Sequence, residues 1–566
     1  MMTMVLSSGG CWTMQLRRAF AWLVINSCVR LYGNNEMMFT GGGVPSIHLQ
    51  TLEEEKTMKN NLWKLATVVI VLTMLVPGLA MLLTGCGPEE EEEMIPTPVP
   101  VKPTATPVPS KAEGPVPAAP PTDTPAPPSA TAPPSHAGPV IDKWALWTGG
   151  TQLRGANIWQ RVVVPDLDGP EFLGSGHVGP PYTQADFDRL AALGANYVNI
   201  SGPGLFTEKP PYVLDEKVQA NLDNLLDMIA QADMFAVITA RTGPGRSDFT
   251  FYRDGAGDWF DESLLIESVW EDQEAQDDWV EMWRYTAQRY HDNPIVVGYD
   301  LMCEPNSAGI LLELWEPTEF YPEYAGTLYD WNQLYPRITA AIREVDPDTP
   351  ILIGGMGWSA VRWLPYLEPT GDPRTVYMVH QYEPQDDYTH QEPSGQNTYP
   401  GEFDLNWDGA PDPFTRDWLD EHLSTIDAFK AEHGMPVAVN EFGVNRWVPG
   451  GAAFMDDQMD LFEQRGMNHA LWSWDPSWKP WTEEVDAFNF RHGPDPDHHA
   501  DVASSDLIDV IVKYWGRNTI RPSNLTEESS ISTGQVYYVA ANEPGASDGN
   551  SGLYPTYHWT LDKSMS

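Results

Sequence analysis

Cysteine and basic residues are both scarce in this 566-residue sequence, which has 4 Cys and only 33 Lys and Arg against 80 Asp and Glu. The formal net charge of −47 argues against a nucleic-acid partner, because phosphate binding requires clustered basic side chains. Neutral polymers are the more natural substrates for so acidic a surface. Cys303 is the only cysteine in the predicted folded domain. We therefore expect no disulfide framework, and stability must come from an apolar core.

A long apolar run occurs near the N-terminus, and it predicts export. Residues 65–83 are mostly apolar, follow a short basic segment with Lys59 and Lys64, and end in Leu83-Thr84-Gly85-Cys86. A basic segment, an apolar core and a small-residue cleavage site are typical of a secretory signal. The ending resembles a bacterial lipobox, which predicts lipidation of Cys86; a single transmembrane anchor is the alternative. Both interpretations place the bulk of the chain outside the cytoplasm, attached to the membrane only through this segment.

The composition divides the chain into five predicted regions. Residues 1–57 resemble an upstream extension from a misassigned start codon, and residues 58–86 are the predicted lipoprotein signal peptide. Residues 87–140 form an acidic and Pro/Thr-rich linker, whose composition cannot bury a core. Residues 141–521 form the predicted catalytic domain. Residues 522–566 are a tail that resembles the truncated start of a parallel β-helix module, or else is irregular, because too few residues remain for three coils.

Residues 141–521 alternate apolar runs with amphipathic helical segments. The helical segments have recognisable starts at Thr183 with Asp186, at Asp215, and at Ser504 or Ser505. This alternation predicts a (β/α)₈ TIM barrel. A doubly wound sheet is the alternative, but no glycine-rich phosphate loop follows the first strand. The eight predicted strands are Leu153–Trp159, Ala195–Ile200, Phe235–Thr239, Ile295–Met302, Pro350–Gly354, Val376–Tyr382, Pro436–Phe442 and His469–Trp474.

Polar side chains follow the predicted strands at their carboxyl ends, where TIM barrels carry their chemistry. The fourth strand leads to Glu304 and the seventh to Glu441, so the two carboxyl groups are expected to face each other across the barrel mouth. A glycosidase needs such a pair, one to protonate the leaving oxygen and one to act at the anomeric carbon. When two carboxylates lie this close to each other, their repulsion raises the pKa of one of them. Two carboxylates and water suffice for this reaction, so no cofactor and no metal is expected.

Four motifs in register resemble glycoside hydrolase family 5, the cellulase family, over residues 144–515. The resemblance implies that Glu304 is the acid/base and Glu441 the nucleophile of a retaining mechanism. It also implies that Tyr382 orients Glu441 and that His380 lines the site near the acid/base. The motifs are Glu304-Pro305-Asn306, His380-x-Tyr382, Asn440-Glu441-Phe442-Gly443 and Trp474.

The resemblance further implies where the sugar lies. Trp474 is the expected floor under the sugar at the cleaved bond, with Trp472 as the alternative platform if Trp474 belongs to the core. Asn157 and Trp159 end the first strand and are candidates for subsites on the non-reducing side. Asn306 belongs to the acid/base motif and is a further candidate contact.

Three positions depart from the family pattern. Cys303 stands directly before the acid/base, where the family usually has an Asn that contacts the sugar 2-hydroxyl. The second strand carries Asn199 where an Arg usually supports the nucleophile, and the third strand ends near Arg241 where a His is usual. Asn199 or Arg241 can supply the missing donors, and Arg241 can lower the pKa of the nucleophile. These departures predict a divergent member with an unusual sugar at the cleaved bond.

The sequence favours a retaining glycosidase, expected to be monomeric, that acts on a polysaccharide or oligosaccharide of β-glucan or β-mannan type. The alternatives are a carbohydrate-binding barrel that has lost turnover, and a transglycosylase. Aromatic insertions over Arg241–Glu271 and Glu383–Phe414 could wall one end of the cleft, which would favour exo action. The segment Asp495–His499 is a candidate metal site, but a solvated loop is favoured because no ligand spacing there is diagnostic.

Overall fold

A computed structural model describes residues 142–406, 408–478 and 483–525. Eight parallel strands in these residues close into a barrel, each next to its sequence neighbour, with the first paired to the last. The predicted (β/α)₈ fold is thus confirmed. The predictions for residues 1–141 and 526–566 lie outside the described residues. The strands are β1 Arg154–Trp159, β2 Tyr197–Pro203, β3 Phe235–Thr242, β4 Val296–Asp300, β5 Ile351–Gly354, β6 Thr375–Gln381, β7 Val437–Phe442 and β8 His469–Leu471.

Every strand begins within two residues of its predicted start, because the apolar runs that fill a buried parallel sheet are visible in the sequence. The strand ends are less accurate: β8 ends at Leu471 and not at Trp474, and β2 ends at Pro203 and not at Ile200. Two short antiparallel pairs stand outside the barrel and do not contribute to its wall. They join Arg161–Val162 to Val178–Gly179 and Gly401–Phe403 to Asp412–Phe414.

Seven longer helices surround the strands in the described residues, and three of them start at the predicted capping residues. The Thr183 hydroxyl and amide both bond to Asp186 Oδ2, and Asp215 Oδ1 accepts from the amides of the first helical turn. Ser505 Oγ accepts from the Ile508 amide at 3.2 Å. The helices are α1 Gln184–Ala192, α2 Glu216–Gln231, α3 Gln273–Tyr290, α4 Trp331–Arg343, α5 Arg416–His433, α6 Gly451–Gln464 and α7 Asp506–Trp515.

The connection between β5 and β6 departs from the predicted alternation. A 3₁₀ helix over Val361–Tyr366 takes the place of an α-helix there. Pro365 lies inside this segment and has no amide hydrogen to donate to a longer helix. Shorter helices also lie at Ala145–Thr148, Pro165–Phe172, Ser307–Leu312, Pro317–Tyr324 and Glu483–Phe488.

The lower half of the barrel is filled by apolar side chains. Leu352, Val376 and Ala470 point inward from three of its strands and are fully buried. The short helix before β1 closes this end, with Trp147 Nε1 donating to the Val297 carbonyl at 2.9 Å. Among the residues that the structure describes, no helix is both long and apolar enough to cross a membrane.

Candidate active site

The two predicted catalytic carboxyl groups meet at the carboxyl end of the barrel. His380, at the end of β6, bridges them: its Nδ1 lies 2.8 Å from Glu304 Oε1 and 3.2 Å from Glu441 Oε2. An oxygen of Glu304 and an oxygen of Glu441 lie within 4.8 Å of each other. This spacing corresponds to the roughly 5–5.5 Å of retaining glycosidases better than to the roughly 6.5–9.5 Å of inverting ones.

Glu304 is held in an unusual backbone conformation. Its φ of 52° lies in the left-handed region, which disfavours side chains other than glycine. Arg246 stabilises this turn by donating to the carbonyl oxygens of Cys303 at 2.7 Å and Glu304 at 3.0 Å. Strained backbone of this kind costs about 1–3 kcal/mol and is concentrated at functional sites. The fold therefore presents the Glu304 carboxyl group at the cost of local strain.

His380 carries a positive charge between the two carboxylates. Burial alone lowers the pKa of an imidazole, but Glu441 and Glu304 more than offset this and raise the pKa of His380 to about 10. At neutral pH its Nδ1–H therefore lies within hydrogen-bond distance of an oxygen of each glutamate. His380 consequently fixes the relative orientation of the two carboxyl groups.

Glu441 is arranged to remain ionised. Burial tends to raise its pKa, but the His380 charge and hydrogen bond, the Arg241 charge and the Tyr382 hydroxyl together bring the pKa below its usual value. Tyr382 Oη donates to Glu441 Oε2 at 3.3 Å. An ionised, buried carboxylate is the form that attacks an anomeric carbon.

Cys303 and Arg241, two of the three departures from the family pattern, lie together beside Glu441. Cys303 Sγ is 3.9 Å from Glu441 Oε1 and 3.8 Å from Arg241 Nη1. Burial raises the pKa of the Cys303 thiol well above its usual range, so it faces the carboxylate as a neutral S–H. Arg241 is anchored by Asp248 at 2.6 Å and stacks on the Phe251 ring at 3.7 Å. Arg241 is thus positioned to lower the pKa of Glu441, as its place in the sequence predicts.

A layer of buried polar side chains lies directly beneath the carboxylates. Asn199 Nδ2 donates to Asn157 Oδ1 at 2.6 Å, and Thr239 Oγ1 donates to Asn199 Oδ1 at 2.7 Å. Thr239 Oγ1 and Asn440 Nδ2 both lie within hydrogen-bond distance of Asp300 Oδ2, at 3.2 and 2.8 Å. Burial raises the pKa of Asp300 to about 7, although His380 and these hydrogen bonds oppose the rise. This layer contains one ionisable group, placed under the reacting acids.

Three predicted sugar contacts have other roles in the structure and are corrected here. Asn157 and Asn199 are fully buried, because their amides bond to each other and to the barrel backbone and side chains. Asn306 is also buried, and its Oδ1 accepts from the Gly309 amide at 2.8 Å to cap the helix that follows. Asn157 and Asn199 support the site from below, and Asn306 holds the start of the helix that follows the acid/base motif.

The aromatic platform for the sugar also differs from the first prediction. Trp474 is 0% exposed, packs in the outer core, and donates from Nε1 to the Asp186 carbonyl, so its ring cannot contact a sugar. Trp472 is 4% exposed and lies at the mouth, with the Arg241 guanidinium 5.5 Å from its ring centroid. The alternative platform, Trp472, is therefore the residue that the geometry supports. Trp159 lies next to it in the same aromatic cluster.

Arg246, Asp248, Phe251 and Asp300 belong to the site, and of these only Phe251 had a predicted role, as an aromatic residue of the insertion Arg241–Glu271. The first three lie in the insertion after β3, where no motif or spacing marks them. Asp300 stands in an apolar strand four residues before Glu304, and this break in apolar character was the only available signal. Sequence patterns identify residues at strand ends more readily than those that reach the site from a loop.

Two aromatic residues of the second insertion, Glu383–Phe414, do not line the cleft. They are Tyr388 and Tyr399, which are buried against Phe414 and Phe454 and belong to the main apolar core. Trp407, also in this insertion, lies outside the described residues.

The predicted loop around Asp495–His499 is largely exposed, although His499 reaches Asp486. Ligand atoms of Asp486, His492 and His499 lie within 4.8 Å of one another. Arg446 Nη2 donates to Asp486 Oδ2 at 2.8 Å, so a cation already neutralises this carboxylate. The arrangement is an ion-pair network and does not support a metal site.

A barrel with two facing glutamates at the ends of β4 and β7 has the acid pair typical of glycosidases. The sequence profile described as Cellulase (glycosyl hydrolase family 5) matches residues 165–477, just over half of the chain. The protein belongs to this family. The match extends from the first loop of the barrel to the segment after β8, and so it contains both glutamates.

Related proteins carry several different names. A beta-xylosidase from Phanerodontia chrysosporium is 25% identical over 36% of this chain and 37% of its own length. A probable glucan 1,3-beta-glucosidase A from Aspergillus fumigatus is 26% identical over 41% of this chain and 49% of its own. An endoglucanase structure from Thermotoga maritima has 17% identity and a TM-score of 0.45 over 65% of this chain and 98% of its own. This chain spans less than half the length of the two named relatives.

Proposed function

We propose that this protein is a retaining β-glycosidase that hydrolyses a β-linked glycan by double displacement. The observation that carries the proposal is the pair Glu304 and Glu441, with oxygens within 4.8 Å and a protonated His380 between them. Family membership supports the same class of reaction, as do the printed names of two relatives, a beta-xylosidase and a probable glucan 1,3-beta-glucosidase A.

In the first step, Glu441 attacks the anomeric carbon while Glu304 protonates the leaving oxygen, which gives a covalent glycosyl-enzyme. In the second step, Glu304 takes a proton from water, and this water displaces Glu441 from the sugar. In the free enzyme His380 is protonated, because its pKa is about 10, and it orients the two carboxyl groups before the first step. Trp472 provides the apolar face under the reacting sugar.

For the substrate we propose a β-glucan or a β-mannan. Cys303 faces Glu441 where the family usually has an Asn that contacts the 2-hydroxyl, and such contacts contribute several kcal/mol in the transition state. Assays of Cys303→Asn on cello- and manno-oligosaccharides test the proposal that the replacement reflects an unusual sugar. A large gain in kcat/KM supports it, and no change contradicts it.

We also propose that the protein is an exported monomer tethered by lipid at Cys86. The basic segment, apolar run and lipobox-like ending of residues 58–86 support this, as does the Pro-rich linker that follows. Metabolic labelling with a radioactive fatty acid tests it. Label in the full chain that is lost in Cys86→Ser supports the anchor, and equal labelling of both contradicts it.

Hydrolysis of a panel of β-glucans, mannans and xylans by the whole protein tests the proposed function. Activity on one polymer that disappears in Glu441→Ala, but persists in the exposed control Glu432→Ala, establishes the enzyme and its substrate. Tight binding of one polymer without turnover would instead indicate a binding protein. Larger oligosaccharide products would indicate a transglycosylase.

A further inference from the structure

The insertion after β3 begins with a tight turn that fixes the backbone of Arg246. The Arg246 amide donates to the Gly243 carbonyl at 2.9 Å, and the Gly243 amide donates to the Arg246 carbonyl at 3.0 Å. Gly245, between them, has a φ of 71°, and a Cβ added there would lie 2.7 Å from the Val269 amide nitrogen. Glycine suits both this conformation and this contact. The Arg246 side chain therefore extends from a fixed turn, and it is 2% exposed.

The guanidinium group of Arg246 holds the backbone on both sides of the Glu304 Cα atom. Its Nη1 donates to the Cys303 carbonyl at 2.7 Å, and its Nη2 donates to the Glu304 carbonyl at 3.0 Å. These carbonyls belong to the two peptide planes that flank this Cα atom, so a planar fork between them restrains both φ and ψ of Glu304. Burial lowers the pKa of Arg246 to about 10, which leaves the group charged at neutral pH and its hydrogen bonds strong.

This restraint opposes the local preference of the chain. A glutamate with a φ of 52° stays in the left-handed region only where its surroundings hold it there. The backbone torsions set the direction of the side chain, which brings Glu304 Oε1 to 2.8 Å from His380 Nδ1. Without the fork, the backbone of Glu304 would relax and its carboxyl group would move. A misplacement of about 1 Å can lower the rate of a catalysed step by about 100-fold.

Arg246 acts on the acid/base, whereas its neighbour Arg241 acts on the nucleophile. The two guanidinium groups share the ring of Phe251, at 5.1 Å and 3.7 Å from its centroid. The charge of Arg241 acts on the Glu441 carboxylate. Arg246 instead contacts the backbone of Glu304, so its replacement should change where the acid lies and leave the nucleophile in place.

We propose that Arg246 is a positioning residue for the acid/base, which holds the Glu304 backbone in the conformation from which the carboxyl group protonates the leaving oxygen. Arg246 does not contact the substrate and acts only through Glu304. The insertion after β3 thus contributes to leaving-group protonation. This proposal rests on the proposed function, since it assigns a residue to one step of the same reaction.

Arg246→Lys tests the proposal in the whole protein. Lysine keeps the positive charge, but its ammonium group cannot form a planar fork to two carbonyls. The substrates are aryl glycosides of the glycan that the polymer panel identifies, with phenol or 2,4-dinitrophenol as the leaving group. Phenol requires a proton to leave, so kcat/KM for its glycoside should fall by about 10–100-fold. The 2,4-dinitrophenyl glycoside requires none, and its kcat/KM should stay nearly unchanged. An equal loss on both substrates, or no loss on either, overturns the proposal.

Arg343→Lys is the matched control. Arg343 Nη1 also donates to two backbone carbonyls, those of Asp346 at 2.9 Å and Thr349 at 2.8 Å, at the end of the barrel where β5 begins. Its replacement should lower stability in urea and leave the ratio of the two kcat/KM values unchanged. A shift in that ratio as large as in Arg246→Lys would show that general destabilisation produces the effect, and it would overturn the proposal.

Two further measurements cover the remaining outcomes. If Arg246→Lys does not fold, Arg246→Gln keeps one amide donor and should shift the ratio in the same direction; an unchanged ratio there overturns the proposal. If the original protein hydrolyses no glycoside, the proposed function fails, and crystal structures decide the positioning role separately. Glu304 should keep a φ near 52° in the original protein and leave the left-handed region in Arg246→Lys. The same φ in both proteins would overturn the proposal.

Discussion

The lower and upper halves of the barrel interior differ in composition and in role. In the lower half, Leu352, Val376 and Ala470 are buried among apolar neighbours and hold the strands together by exclusion of water. In the upper half, Asn157 and Asp300 belong to a layer in which polar groups bond to one another beneath the catalytic pair. The lower half therefore contributes to stability, and the upper half carries the chemistry. Substitutions in the two halves should therefore affect different measurements.

The largest expected effect is on catalysis, from Glu304→Ala in the upper half. Loss of a general acid should reduce kcat on the natural glycan by about 10²–10⁴-fold. A 2,4-dinitrophenyl glycoside leaves without a proton, so its glycosylation step should be nearly unaffected, as burst kinetics would reveal. Unfolding in urea should change little. Equal loss of glycosylation on both substrates would contradict the acid/base assignment.

The next effect is on stability, from Leu352→Ala in the lower half. A fully buried leucine replaced by alanine should lower the free energy of unfolding by about 2–5 kcal/mol, because a cavity remains. Denaturant unfolding measures this change. At temperatures where the variant is folded, kcat should stay within about twofold of the original. A large kcat loss in the folded variant would show that the two halves are not separable.

Asp300→Asn tests how a buried acid of the upper half affects stability at different pH values. The pKa of Asp300 is about 7 in the folded protein against about 3.9 when unfolded. Between these values only the unfolded state has released its proton, so this group makes the folded state less stable as pH rises from 4 to 7. Asparagine removes that dependence. The variant should gain stability relative to the original by on the order of a few kcal/mol between pH 4 and pH 8.

Unfolding experiments at both pH values measure this difference, with Asp346→Asn as a comparison at another buried carboxyl group. Asp346 has a lowered pKa, because hydrogen bonds from Thr349 and the amide of Asp348 outweigh its burial. Its replacement should therefore have the opposite pH trend. A pH-independent difference for Asp300→Asn would show that Asp300 is ionised throughout this range.

The smallest effect is expected from Tyr382→Phe. The hydroxyl donates to Glu441 at 3.3 Å and helps to keep its pKa low, so its removal should raise that pKa. The acidic limb of the kcat/KM profile should move to higher pH, and the maximum should fall by about 10-fold. A pH–rate profile with an unmoved acidic limb would exclude Tyr382 from this role.

The lower half was the easier half to predict from the sequence. Apolar runs and capping residues such as Thr183 and Asp215 identify the strands and helices, because they reflect local backbone physics. Glu304 and Glu441 were recognisable because each ends an apolar run. The missing α-helix after β5 was less predictable, since only Pro365 signals it.

The upper half was harder to predict, because side-chain direction there depends on where each strand ends. Trp472 and Trp474 are two residues apart, and the sequence does not indicate which of them lies at the barrel mouth and which belongs to the outer core. Asn157 and Asn199 resemble ligand contacts in sequence, but in the structure they pair with each other. Arg246 reaches the site from a loop, so its distance from Glu304 depends on tertiary folding alone.

The anomeric configuration of the first product tests the central claim most directly. Proton NMR during early hydrolysis of the β-linked substrate distinguishes newly formed β-anomer from α-anomer. Two carboxylates within 4.8 Å at their closest oxygens predict β-product first, with α appearing later by mutarotation. Initial release of the α-anomer would mean that a water attacks directly, and it would contradict the role of Glu441 as nucleophile.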